Sequence, residues 1–116
     1  MIPTFAESFV DLIEKALLEA SRGIASLHHL HNVRAGVTNI LSLLEYDAEI
    51  GAAADRLTQT ATSYINRHDA VSTTMTERER HADADRFGTA QDAVVVFRAS
   101  LEHGRPSSRV RRLGLA

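Results

Sequence analysis

Leu44-Glu45-Tyr46-Asp47-Ala48-Glu49-Ile50 separates two runs of apolar residues, and this turn decides the fold. Before it, Leu30, Val33, Val37, Leu41 and Leu44 recur every three or four residues; after it, Ile50, Ala54, Leu57, Ala61 and Tyr64 follow at intervals of 4, 3, 4 and 3. Both spacings gather apolar side chains on one face of an α-helix. Asp47 is a good N-cap, because its carboxylate can accept hydrogen bonds from the backbone N–H groups that a helix start leaves without partners. A connection this short makes the second helix fold back antiparallel on the first. The expectation is a helical hairpin in which Leu57 and Ala61 face residues 30–44.

Upstream, the seam extends through Phe5, Phe9, Leu12, Ala16, Ala20, Ile24 and Leu27. That predicts one long helix or two nearly collinear ones, weakened at Gly23 and Gly36 by about 1 kcal/mol each relative to alanine. Downstream, residues 68–75 read as a loop, and Thr76 with Glu79 forms a capping box that opens a third helix. Its first turns, Glu77 to Asp85, are charged and expected in solvent, whereas Phe87, Ala90, Val94, Phe97 and Leu101 make a second seam. Val94-Val95-Val96-Phe97 is β-branched enough for a strand, but its helical flanks favour buried helix. Gly104 and Pro106 then end the helix.

Residues 1–104 therefore read as one all-α domain, a helical hairpin plus a third helix, and residues 105–116 as a basic, disordered tail. The first helix offers more apolar face than two shorter helices can cover. A second copy is accordingly expected to complete a dimeric four-helix bundle.

Composition removes several classes. With no cysteine among 116 residues, there is no disulfide framework, thiolate metal site or cysteine nucleophile. Met1 to Glu7 lacks a basic secretion signal and no apolar run approaches the roughly 20 residues that span a bilayer, so a cytoplasmic protein without a membrane partner is expected. Residues 1–104 hold 15 acidic and 9 basic side chains, while residues 105–116 hold four arginines and no acid. Because no basic face precedes that short tail, nucleic acid is not expected as a partner. No phosphate-binding glycine loop and no strand-turn-helix nucleophile elbow occurs, which removes nucleotide and hydrolase chemistry and leaves no cofactor implied.

Three of the six histidines, His28, His29 and His31, fall within four residues. At about 100° per residue, His28 lies roughly opposite the centre of the apolar arc of residues 30–44 and should face solvent. His31 and Asn32 share that outer side, and His29 flanks the seam. Phosphoryl transfer to histidine needs a neutral imidazole on a rigid support, exposed to a partner's phosphoryl group. Asn32, one turn after His28, is placed to orient the ring or a phosphoryl oxygen. His28 with His31 could alternatively supply two imidazole ligands to a metal, but the helix offers no third ligand, and no metal site is expected.

The stretch from His28 resembles the phosphoacceptor helix of the dimerisation and histidine-phosphotransfer domains of two-component signalling. It is most similar to the branch with the sporulation-phosphorelay phosphotransferase and the citrate and C4-dicarboxylate sensor kinases. His28, Asn32, Ile40-Leu41-Ser42-Leu43-Leu44 and Tyr46-Asp47 fall on that branch's pattern without a gap, over about twenty residues. The sequence departs from it at His29, where many kinases carry an acid, and at Arg34, where an apolar residue is usual. The resemblance implies that His28 is the phosphoacceptor, that a response-regulator receiver domain is the partner, and that two hairpins pair as a four-helix bundle. With no ATP-binding fold in the chain, autophosphorylation is not expected. The alternative is a non-catalytic helical-bundle interaction protein, such as a chaperone, scaffold or regulator.

Overall fold

The structure, a computed structural model, describes residues 4–22, 27–71, 76–108 and 112, with the backbone alone at 68–71. Among these residues the fold is all-α, with helices α1 (Thr4–Arg22), α2 (Leu27–Ser42), α3 (Ala48–Val71) and α4 (Glu77–Ser100), then a 3-10 turn over Leu101–His103.

The upstream seam does not run on as a collinear rod. α1 and α2 lie side by side: Gly36 faces Ile13, where an added Cβ would come within 2.8 Å of Cγ1, and Glu19 reaches His29 at 4.0 Å. Moving six residues forward on α1 thus moves seven back on α2, so the two helices are antiparallel. Gly23 and Ile24 lie outside the described residues. The physical reason is cover: a rod would leave the α1 face of Ala6, Val10, Ile13, Leu17 and Ala20 in water, and folding back buries all five. Gly36 does not interrupt α2. It is instead a point of close approach to α1.

This arrangement also corrects which face of α1 is buried. Leu12, expected in the seam, is 53% exposed, while Val10 and Ile13 are fully buried. The buried arc is turned by about one residue because α1 packs between two neighbours, α2 and α4.

The α2–α3 turn follows its sequence. The Asp47 carboxylate accepts from the backbone N–H of Glu49 at 2.9 Å and of Ile50 at 3.1 Å, capping α3. Further along, Arg34 on α2 reaches the Thr62 hydroxyl on α3 at 3.5 Å, consistent with an antiparallel pair. Ile50, Ala54, Leu57, Ala61 and Tyr64 are all buried. α4 returns against α3, its start capped by the Thr76 hydroxyl accepting from Glu79 N–H at 3.2 Å, and the Phe87 ring lies 5.2 Å from Tyr64. Val94 and Phe97 are buried within helix, not strand.

α4 then closes on α1. The Arg98 guanidinium lies 2.8 Å from Glu14, 3.2 Å from Asp11 and 3.8 Å from Glu7, a row that faces one side of α1. The hydrogen bond to Glu14 is the chief reason that the Arg98 pKa is raised. Four antiparallel helices from one chain therefore enclose a core, and a second copy would add to it from outside.

The charged start of α4 is less open than its sequence implies. Asp83 turns inward, its side chain 13% exposed and 3.9 Å from Arg86. It lies near Tyr64, whose hydroxyl pKa is pushed up to about 12, by burial first and then by the Asp83 carboxylate, with Arg86 acting the other way.

The tail does not leave the body at Arg105. Glu45 N–H donates to Arg105 O at 2.8 Å and Ser107 N–H to Leu43 O at 2.9 Å, so Leu44 and Pro106 face each other as an antiparallel bridge. Gly104 is extended, with φ −69° and ψ 140°, and is not a left-handed cap. Its lack of a side chain matters for packing, since an added Cβ would lie 3.3 Å from Leu44 and 3.4 Å from Ile50.

Candidate functional site

His28 stands on the first turn of α2 with its side chain in solvent. The Asn32 amide Nδ2 lies 3.5 Å from His28 Nε2, at the outer edge of hydrogen-bond reach. An amide NH2 can only donate, so the contact is a hydrogen bond only in the tautomer whose ring proton is on Nδ1. That tautomer keeps a lone pair at Nε2, the form of imidazole that attacks phosphorus.

The sequence placed Asn32 on the open outer side with His28. The structure places it on the rim of a groove, half-buried, because α1 folds back beside α2. This groove has a volume of about 260 Å³; Leu12, Ala16 and Glu19 on α1 face Asn32, Ala35 and Gly36 on α2. Small side chains on both helices make its floor shallow, and the exposed Leu12 gives it an apolar wall. It starts beside Asn32 and runs away from His28 toward the α2–α3 turn.

The other two histidines of the cluster differ. His31 is exposed. His29 turns toward α1, its side chain only 16% exposed and its Nε2 4.0 Å from the Glu19 carboxylate, which also lies 3.9 Å from Lys15. The His28 and His29 rings meet edge to face, with centroids 6.0 Å apart. The sequence could not point to Glu19, which lies on another helix and joins the site only through the chain reversal. Among the described residues no group of three or more His, Asp or Glu side chains is placed to hold a metal ion.

Tyr46 and Asp47, the far end of the stretch that resembles the signalling domains, stand at the opposite end of α2 from His28. Asp47 caps α3, and Tyr46 is 91% exposed beside Glu45, His103 and Arg105. Their part is in the turn. They do not join His28.

A second groove, of about 300 Å³, separates α1 from α4, with Leu17, Leu18, Phe87, Val94 and Val95 as its apolar lining. Val95 is 65% exposed and Val96 51%. No helix among the described residues is long and apolar enough to cross a membrane. Comparison of the chain with protein-family models, with curated proteins and with solved structures finds no match.

Proposed function

We propose that this protein carries phosphoryl groups on His28, accepting them from the aspartyl phosphate of a response-regulator receiver domain. The observation that carries the proposal is the contact between Asn32 and His28 Nε2, 3.5 Å apart, on an exposed first turn of a packed bundle. In the transfer, the Nε2 lone pair attacks phosphorus. The N–P bond forms as the bond to the acyl oxygen breaks, and the receiver's aspartate leaves as a carboxylate. Asn32, as a neutral donor one turn away, can then turn its amide to a phosphoryl oxygen.

Self-association belongs to the same proposal. The exposed Leu18 and Val95 beside the α1–α4 groove are apolar surface that a second copy would remove from water. The same surface favours a second reading, a non-catalytic interaction protein whose histidines only decorate its exterior.

Phosphohistidine is labile to acid and stable to alkali, so incubation with labelled, phosphorylated receivers followed by acid and alkali treatment separates the two readings. Transfer that survives alkali, is lost in acid and is absent from His28→Gln is the expected result. No transfer from any receiver would leave the interaction protein.

A further inference from the structure

We infer that Glu19 and His29 act together as positioning residues for His28, so that the acceptor is oriented from α1 as well as from its own helix. The inference rests on His28 being the acceptor. A histidine on the first turn of a helix has few neighbours and, left alone, would sample several rotamers. Here the ring is bracketed. Asn32 approaches Nε2 at 3.5 Å, and the His29 ring stands beside it at 6.0 Å with the planes inclined by 61°. His29 is itself held: it is mostly buried, and its Nε2 faces the Glu19 carboxylate across the helix pair at 4.0 Å.

The pair makes a line of contact from α1 through His29 to His28, and it explains why an imidazole suits position 29. The side chain must be flat enough to lie against His28, polar enough to meet Glu19, and short enough to stay at the α1–α2 seam. His31 is exposed on the same helix and has no such bracket among the described residues. The two histidines therefore form an internal comparison: similar exposure, same helix, different support. A reactive group held in its productive orientation gains rate because that orientation need not be found in each encounter.

The test uses phosphoramidate as donor, so that no receiver is needed. The N–P bond to histidine forms while the P–N bond of phosphoramidate breaks, and ammonia leaves. Phosphorylation at His28 and at His31 is measured in the same molecules by mass spectrometry under alkaline conditions. In the wild-type chain His28 should be favoured over His31 by about tenfold or more. Glu19→Ala and His29→Leu should each bring that ratio toward one, while His29→Gln, whose amide can still donate to Glu19, should retain most of it. Unfolding would also bring the ratio toward one, so circular dichroism must show each variant as helical as the wild type, and His29→Gln separates loss of the Glu19 contact from loss of the native side chain. A wild-type ratio near one, or a ratio unchanged in Glu19→Ala and His29→Leu, would overturn the inference. Because the donor is a small molecule, failure of transfer from receivers would show separately and count against the phosphotransfer reading alone.

Discussion

Gly36 offers a direct probe of the helix reversal. In an isolated helix, replacing an interior glycine by alanine stabilises by about 1 kcal/mol, since alanine loses less backbone freedom on folding. At Gly36 the added Cβ would lie 2.8 Å from Ile13 Cγ1 and 3.1 Å from Cδ1, closer than two carbons can approach without movement. Ile13 is fully buried and cannot swing into solvent, so either its rotamer changes or α1 backs away from α2. Overpacking of this kind costs roughly 1–3 kcal/mol, which outweighs or cancels the helical gain and predicts a net loss of about 0–2 kcal/mol for Gly36→Ala. Gly88, in mid-α4, has nothing within 4 Å of its would-be Cβ, so Gly88→Ala should show the undiluted gain.

Urea unfolding followed by circular dichroism gives both values. A double-mutant cycle makes the cause specific: in an Ile13→Ala background, Gly36→Ala should become favourable, with a coupling of about 1–3 kcal/mol. If Gly36→Ala stabilised the wild-type chain as much as Gly88→Ala does, and without coupling to Ile13, the close antiparallel packing of α1 on α2 would be refuted.

Other outcomes follow from the same contacts. Leu57 is fully buried, so Leu57→Ala should cost about 2–5 kcal/mol in the same unfolding assay, and a loss of a few tenths would mean that the α3 seam is misplaced. Tyr64 has a pKa raised from 10.0 to about 12, so the folded state holds its proton longer than the unfolded state does. Stability present below pH 10 should therefore fall by about 1–3 kcal/mol as the pH rises toward 12, and Tyr64→Phe should remove that part of the alkaline loss. Arg98→Met should lower stability by about 1 kcal/mol at low salt and by less at high salt, because its three acidic partners are largely exposed. Sedimentation equilibrium should give a dimer at tens of micromolar, roughly, for an interface of ordinary size, and a monomer throughout would remove self-association from the proposal.

The parts of the fold that could be read in the sequence are those set by neighbours in the chain. Asp47 and Thr76 cap the helices that follow them because capping is a matter of three residues, and the α3 and α4 seams follow from their repeat alone. The reversal between α1 and α2 could not be read, since both helices keep a helical repeat and no proline separates them. The rotation of the α1 face was hidden for the related reason that it depends on having α2 on one side and α4 on the other. Arg98 meets acids more than eighty positions away, and Arg105 meets Glu45 through backbone atoms; neither leaves a local pattern. At the site, the exposure of His28 followed from helical geometry. The half-burial of Asn32 and the arrival of Glu19 required the reversal.

Locating the transferred group on the chain tests the function most directly. After incubation with phosphorylated receivers, tandem mass spectrometry under alkaline conditions should place the phosphoryl group on His28, with none on that segment in His28→Gln and the bundle still folded in both. A phosphoryl group on His29 or His31, or a wild-type chain left unmodified by every receiver tried, would contradict the assignment of His28 as the acceptor.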